Sequence, residues 1–118
     1  MPRTSLYFEQ GDIVVADILY SELAGVKRRP VLVVSNSAFN RNSLDVVVCK
    51  ITSAGKKTGF DIELSNEDLM EGKLKKESFI ALDFYTTIYK DCIEGRVGRI
   101  KNQKLLEVKR KIKEFFGI

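Results

Sequence analysis

Two stretches decide the fold of this chain: Lys27-Arg28-Arg29-Pro30-Val31-Leu32-Val33-Val34-Ser35 and Val46-Val47-Val48-Cys49-Lys50-Ile51-Thr52-Ser53. Each contains a continuous run of β-branched and other apolar residues, which predicts a buried strand. Each run also has a polar residue at one end, Arg29 before the first and Thr52 after the second. On neighbouring strands, a guanidinium fork and a hydroxyl at the same rim can both hold one phosphate. The two stretches therefore predict a site for phosphodiester chemistry.

Length and composition narrow the class of protein. The chain has 118 residues, which predicts a single domain over residues 1–118 with one hydrophobic core. Its 44% content of hydrophobic residues excludes wholesale disorder, and no apolar run approaches the ~20 residues of a membrane helix. Residues 1–8 lack the pattern of a secretory signal, and Cys49 and Cys92 have neither disulfide-framework nor zinc-ribbon spacing. We therefore expect a soluble protein of the reducing cytoplasm, without a metal site.

The charge is modestly positive and unevenly distributed. Lys and Arg total 20 against 16 Asp and Glu, for a net charge of +4, which suits a polyanionic partner. Basic residues cluster in three places, at 27–29, at Lys56 and Lys57, and at Lys73, Lys75 and Lys76. For the last two clusters the alternative is a solvated rim of turns.

The hydrophobic pattern is mostly that of strands, followed by one helix. Strands are predicted at 12–19, 31–35, 45–52, 60–64, 77–83 and 96–100, with loops at 21–29 and 36–42 and one helical turn within 65–72. From Leu105 to Phe116 the apolar residues recur at helical spacing, with Asn102 as a cap and Gly117 at the end. Five or six short strands and one closing helix predict a mainly β fold, a small and strongly curved barrel.

An ordered series of motifs spans nearly the whole chain. In order, these are Gly11-Asp12-Ile13-Val14, Ser21-Glu22, Arg29-Pro30 before the Val31 strand, Phe39-Asn40-Arg41 and Ile51-Thr52. In this combination the chain resembles the MazF/PemK family of toxin endoribonucleases. The resemblance implies an SH3-like barrel of antiparallel strands that forms a homodimer and cleaves single-stranded RNA at short sequences. It also implies that no metal or other cofactor is needed, and that a cognate antitoxin neutralises the protein and relieves growth inhibition.

The resemblance also implies catalytic roles for three residues. Since RNA supplies its own nucleophile, the 2′-hydroxyl, and this chain has no His, proton transfer needs another group. Arg29 matches the family's Arg before Pro and is expected to stabilise the charged transition state. Thr52 matches the family's Thr after Ile, and its hydroxyl can donate to a phosphate oxygen. Glu22 matches the acidic residue of the Ser-Glu pair and is the predicted proton acceptor, with Asp83 as the alternative.

RNA binding is predicted for residues at loops and strand ends, where basic groups follow the backbone and aromatic rings stack on bases. They are Ser21, Lys27, Arg28, Asn40, Ser53, Lys56, Lys57, Phe84, Tyr85, Thr86 and Thr87. The segment 84–87 departs from the family, whose members often have a Gln and then a basic residue there. We expect this segment at the rim of the barrel, where it would choose the sequence that is cut. The alternative is that Phe84 and Tyr85 are packing residues and the threonines continue the strand.

Two other functions stay open at this point. The same type of barrel occurs in a toxin that inhibits DNA gyrase by protein contact, and a catalytically silent nucleic-acid-binding barrel is the third possibility. Arg29 and Thr52 favour the enzyme. For the homodimer, Leu106 lies outside the apolar arc of the helix and is a candidate for the interface.

Overall fold

The computed structural model describes residues 7–21, 25–55 and 58–118, without the side chains of Tyr20 and Ser21. The strands and helices within these residues are β1 (Asp12–Ser21), β2 (Gly25–Val33), α1 (Ser37–Asn42), β3 (Asp45–Thr52), β4 (Asp61–Leu64), β5 (Leu69–Gly72), β6 (Ser78–Tyr89), β7 (Ile93–Ile100) and α2 (Asn102–Phe116). Two 3₁₀ turns, Asn66–Asp68 and Lys90–Cys92, connect β4 to β5 and β6 to β7.

The strands form one antiparallel sheet in the order β4-β6-β3-β2-β1-β7-β5. This confirms the prediction of a mainly β, barrel-like fold with a C-terminal helix. The sheet has seven strands within the described residues, not five to six, and β4 and β5 are its two edges. The additional strand, β5, has four residues of which only Leu69 is buried, so it carries no alternating pattern that the sequence could reveal.

Apolar side chains cover both faces of the central strands. Leu32 of β2 packs in a cluster that also contains Val108 of α2, whereas its neighbours Val31 and Val33 pack in a second cluster. Because successive side chains of a strand point to opposite faces, an uninterrupted apolar run indicates a strand that is buried on both sides. The two stretches that predicted the fold therefore form the middle of the sheet.

The predicted loop at 21–29 is wrong for the residues from Gly25 onward. Residues 25–33 are one strand, in which Lys27 pairs with Ile18 and Arg28 pairs with Asp17 of β1. Only Val31 to Val33 also pair with β3, so the first half of β2 has a neighbouring strand on one side. Its side chains are exposed there, which is why three consecutive charged residues occur within a strand.

A short helix replaces the predicted polar loop at 36–42. The side chain of Asn36 accepts hydrogen bonds from the amides of Ala38 and Phe39, at 2.7 and 3.3 Å. This satisfies two of the amides that have no partner in the first turn of a helix. The sequence signal for this helix is its N-cap, Asn36. The helix itself has only six residues, which are too few to show the spacing of apolar residues that is typical of a helix.

Three other boundaries differ from the prediction. Strand β6 continues to Tyr89 rather than ending at residue 83, and β7 begins at Ile93 rather than at residue 96. Helix α2 has Lys101 as its N-cap, and Asn102 is its first residue. Its end at Gly117, which has φ 69°, is as predicted, and so is one helical turn within 65–72, the 3₁₀ turn Asn66–Asp68. Neither α-helix of the described chain is long and apolar enough to span a membrane.

Candidate functional site

The backbone of β2 faces its two neighbouring strands alternately. The Val33 carbonyl accepts a hydrogen bond of 2.8 Å from the amide just before β1, and the Val34 amide donates one of 2.9 Å to β3. Along an antiparallel strand the hydrogen-bonding groups of successive residues point to opposite sides. Leu32 and Pro30 therefore direct their backbone groups towards β3.

The hydrogen-bonded ladder between β2 and β3 ends where Pro30 has no N–H to donate. The last pair of their ladder is Val31 with Lys50, and the next pair would join Pro30 to Ile51. Proline has no N–H, so this pair lacks one of the two hydrogen bonds that would continue the ladder. The two strands separate at this point, and an open space is left between their ends.

This space, called here the β2–β3 cleft, has a volume of about 730 Å³. Its lining includes both predicted catalytic residues that the structure describes, Arg29 and Thr52, together with Ser53. Five of its side chains are cationic: Arg29, Lys50, Lys73, Lys75 and Lys76. No Asp or Glu of the described chain is among the lining residues. Such a cleft has a positive potential and attracts polyanions.

The guanidinium of Arg29 is exposed and available to a ligand. Its Nη1 donates to the carbonyl oxygen of Arg28 at 3.2 Å, and no carboxylate within residues 7–21, 25–55 and 58–118 forms an ion pair with it. The remaining N–H groups keep the fork geometry that binds two oxygens of a phosphate. Arg29 is thus positioned as a fixed positive charge at the cleft.

The hydroxyl of Thr52 lies at the end of β3 and is half-buried. The hydroxyl oxygen accepts a hydrogen bond of 3.2 Å from the amide of Ala54, and it lies 3.4 Å from the carbonyl oxygen of Ala54. The second contact is long for an O–H donor. The hydroxyl is therefore oriented by the turn that follows β3 while its proton can be donated to a ligand in the cleft.

Lys50 is a cleft residue that the site prediction did not include. Its Nζ lies 5.5 Å from the ring centroid of Phe84, a cation–π distance, and the ring packs against the core. Lys50 and Thr52 are two residues apart on one strand, so their side chains share a face. That spacing is the signal by which the sequence indicates Lys50.

Lys27 and Arg28 are not among the residues that line the cleft. Arg28 forms ion pairs with Asp17 at 3.2 Å and with Glu94 at 2.5 Å. The hydrogen bond with Asp17, followed by the charge of Glu94, raises the pKa of the Arg28 guanidinium. Strand alternation places Arg28 on the opposite face from Arg29, and it places Lys27, which is exposed, on the same face as Arg29. Arg28 is thus engaged with carboxylates away from the predicted site.

The structure corrects the prediction that Asn40 contacts nucleic acid. Asn40 is fully buried, and its amide nitrogen donates to the carbonyls of Phe8 and Ser35 at 2.8 and 3.1 Å. Its amide oxygen accepts from the hydroxyl of Ser35 at 2.5 Å. Every polar atom of the side chain has a protein partner, so Asn40 holds α1 against the segments before β1 and after β2.

No residue of segment 84–87 lines the cleft, although the ring of Phe84 lies beside the cleft residue Lys50. The other three residues of the segment pair with β3 in the sheet. The hydroxyl of Tyr85 donates to the carbonyl of Leu82 at 2.8 Å, and its ring lies 5.7 and 5.2 Å from those of Phe115 and Phe116. Burial raises the pKa of Tyr85 above its ordinary value. These contacts match the alternative in which the segment packs and continues the strand.

Four of the predicted site residues have side chains that the structure does not describe, and the alternative proton acceptor lies away from the cleft. Glu22, Lys56, Lys57 and the side chain of Ser21 lie outside the described residues. Asp83, the alternative proton acceptor, is half-buried on β6, where its Oδ1 accepts no hydrogen bond within the described chain. It does not line the β2–β3 cleft. In the part of the chain that the structure describes, no three His, Cys, Asp or Glu side chains come together as a metal site.

Comparison with known proteins gives a match over most of the chain. The family model described as PemK-like, MazF-like toxin of type II toxin-antitoxin system matches residues 9–116. A protein named Endoribonuclease MazF from Staphylococcus epidermidis is 30% identical over 102 residues, which are 84% of this chain and 82% of the relative. Endoribonuclease MazF from Staphylococcus saprophyticus is 29% identical over 112 residues, covering 92% of this chain and 91% of the relative.

Solved structures share the fold at lower sequence identity. An endoribonuclease in complex with its cognate antitoxin, from a mycobacterial species, has a TM-score of 0.76 at 20% identity, covering 94% of this chain and 96% of that chain. A MazE-MazF structure from Deinococcus radiodurans has a TM-score of 0.74 at 23% identity, covering 95% of this chain and 98% of that chain. The arrangement of strands and C-terminal helix is therefore shared with these proteins.

Proposed function

The chain belongs to the PemK-like, MazF-like family of toxins of type II toxin–antitoxin systems, and we propose that it is an endoribonuclease that cleaves single-stranded RNA in the β2–β3 cleft. The observation that carries this proposal is the presence of Arg29 and Thr52 in a cleft with five cationic side chains. The relatives matched by sequence are named as endoribonucleases, which favours RNA cleavage over gyrase inhibition or silent binding. The substrate class is mRNA, and its cleavage inhibits growth.

The chemistry needs no nucleophile from the protein. The ribose 2′-oxygen attacks the adjacent phosphorus while its proton passes to a base, and the bond from phosphorus to the 5′-oxygen breaks as that oxygen gains a proton. The products are a 2′,3′-cyclic phosphate and a 5′-hydroxyl. Arg29 stabilises the charge that develops on the non-bridging oxygens, and the Thr52 hydroxyl donates to one of them. Glu22 is our proposed proton acceptor.

We propose that this reaction is independent of metal ions and other cofactors. The positive charge that stabilises the transition state would come from Arg29. The test is to incubate the purified protein with a long RNA in excess EDTA. Cleavage with 5′-hydroxyl ends is expected to persist. Complete loss of cleavage in EDTA, restored by magnesium, would refute the metal-independent mechanism.

A cognate antitoxin is the proposed protein partner. One solved structure of similar fold is an endoribonuclease in complex with its cognate antitoxin, and another contains MazE with MazF. An antitoxin segment with acidic and apolar residues fits a cleft that is lined by cations and by the side chains of Ile13, Val15 and Pro30. A complex saturated with antitoxin should therefore not cleave RNA, and cleavage by that complex would contradict the proposal.

We also propose a homodimer in the cytoplasm, where its RNA substrate and antitoxin occur. Leu106 on α2 is 55% exposed, although it is a large apolar residue, and remains our candidate for the interface. Sedimentation at micromolar concentration should give the mass of a dimer, and Leu106→Lys should shift it towards the monomer. A monomeric wild-type protein would refute this assembly.

A further inference from the structure

The residues 73–76, called here the lysine segment, lie in the connection between β5 and β6 and follow a close contact between two backbones. Gly72 pairs with Gly98 of β7, and a Cβ on Gly72 would collide with the carbonyl of Val97. A Cβ on Gly98 would lie 2.8 Å from the carbonyl oxygen of Glu71. Because neither glycine has a side chain, β5 lies directly on β7, beside the cleft.

The lysine segment is also held at its middle and at its end. The amide of Leu74 donates to the Oδ1 of Asn66 at 2.7 Å, and its side chain packs against the core. The carbonyl of Lys76 accepts a hydrogen bond of 3.0 Å from the hydroxyl of Ser78. The backbone of this short connection is therefore anchored at three points, which is more than a solvated turn requires.

The lysines themselves remain available for a ligand. Lys73, Lys75 and Lys76 are all exposed and all line the cleft. No carboxylate of the described residues forms an ion pair with any of them, and the adjacent Glu71 is paired with Arg96 at 3.2 Å. Three ammonium groups on an anchored backbone, facing a cleft without acidic residues, have the properties of a phosphate-binding element.

We propose that the lysine segment is a second phosphate-binding element of the RNA site. It binds backbone phosphates of the nucleotides that flank the scissile phosphate, which is held by Arg29 and Thr52. This inference rests on the proposed function, and it concerns affinity rather than chemistry. The segment lengthens the bound stretch of RNA and carries no information about base identity, because phosphates are the same at every nucleotide.

The test compares two triple variants with the same loss of charge. One is Lys73→Gln, Lys75→Gln and Lys76→Gln. The control is Lys109→Gln, Arg110→Gln and Lys113→Gln, at exposed positions of α2 that do not line the cleft. The probe is a 2′-O-methylated copy of an RNA segment that the wild type cleaves, since methylation removes the nucleophile. Its dissociation constant is measured against each protein across a series of salt concentrations.

For the cleft variant, the slope of log Kd against log salt should fall by about 1.4 to 2, at ~0.7 per phosphate contact for single strands. The control should keep the wild-type slope. The single-turnover cleavage rate at saturating RNA should be unchanged in both variants. A cleft variant with the same salt slope as the control overturns the proposal. A cleft variant whose cleavage rate at saturating RNA falls as much as its affinity also overturns it, because the lysines would then take part in the chemistry.

Failure of the proposed function is a separate result. A wild-type protein that binds RNA without cutting it would refute the nuclease, whereas the salt slopes, then measured with an unmodified oligonucleotide, would still decide the role of the lysine segment. If the triple variant does not fold, Lys75→Gln alone is expected to lower the slope by about 0.7. An unchanged slope in this single variant also overturns the proposal.

Discussion

Arg29 of β2 and Thr52 of β3 each lie two residues beyond the last pair of the β2–β3 ladder, and both line the cleft. That last pair is Val31 with Lys50. Both side chains also fall on the same face of the sheet, because residues two apart on a strand do. Where the ladder is missing, a phosphate group can approach the guanidinium and the hydroxyl together.

Removing either of these two groups should lower cleavage without unfolding the protein. We expect Arg29→Ala and Thr52→Ala each to reduce the single-turnover rate by ~10²-fold or more, because each removes a donor to the charged transition state. Arg28→Ala is the matched control, since its guanidinium is engaged with Asp17 and Glu94, and it should change the rate little. Circular dichroism and rates on one RNA substrate check both points. Near wild-type rates in both cleft variants would remove the proposed site.

Pro30 should control the width of the cleft. Pro30→Val restores the missing N–H, which allows the ladder to continue to Ile51 and brings the two strand ends together. Cleavage should fall by about tenfold or more, because small displacements of reacting groups are costly. Stability should change little, since the new hydrogen bond contributes ~1 kcal/mol and the loss of proline frees the unfolded chain by a similar amount.

Hydrogen exchange separates the two parts of this prediction. The amide at position 30 of the variant should be protected, which reports that the ladder has grown. A protected amide together with an undiminished cleavage rate would show that the separation of β2 and β3 is not needed for activity.

The centre of the sheet could be predicted because burial on both faces leaves an unambiguous mark on the sequence. The run Val46–Val48 is β-branched throughout, which favours a strand over a helix, and Val46 and Val48 are fully buried in the structure. The prediction ended this strand at residue 83 of β6 because segment 84–87 was expected at the rim of the barrel, although Tyr85, Thr86 and Thr87 are aromatic and β-branched residues that favour strands. Their partners on β3 lie about 40 residues earlier in the chain, and this long-range pairing keeps them in the sheet.

The candidate site was predicted in part for a related reason. Arg29 and Thr52 flank the two apolar runs, so the sequence itself places them at strand ends. The lysine segment lies more than 20 residues after Thr52 and reaches the cleft only because β5 packs on β7. The burial of Asn40 depends on contacts with Phe8 and Ser35, which no local pattern reveals.

The segment 84–87 gives a prediction about specificity that reverses the expectation from the sequence. Thr86 pairs with Val48 in the middle of the sheet, is half-buried and does not line the cleft. Thr86→Arg should therefore leave the set of cleaved sites and their relative rates unchanged. Mapping of cleavage sites on one long RNA at several salt concentrations checks this. A changed list of sites would show that the segment contacts RNA after all.

The two thiols should differ in reactivity in the folded protein. Cys49 is fully buried in β3, and this burial raises the pKa of its thiol, whereas Cys92 is exposed. Since the thiolate is the reactive form, iodoacetamide should modify Cys92 alone in native protein and both residues after denaturation. Mass spectrometry of the modified chain gives the count. Rapid modification of Cys49 under native conditions would show that β3 opens readily.

Asn40 provides the last prediction, which separates a structural role from a role in RNA binding. Asn40→Ala removes the donor that bonds the carbonyls of Phe8 and Ser35, and the acceptor of the Ser35 hydroxyl, at a buried position. Each buried group that loses its hydrogen bond costs about 1–3 kcal/mol, so the free energy of unfolding should fall by on the order of 3 kcal/mol. The control is Asn42→Ala, at an exposed position of α1 whose amide bonds the carbonyl of Ala38 at 2.9 Å, and it should cost only about 0.5 kcal/mol. Urea denaturation measures both variants, and cleavage assays on the folded fraction should give wild-type rates for each. A variant at Asn40 with full stability and impaired cleavage would return this residue to the RNA-binding surface, because only a contact with substrate would then explain the loss.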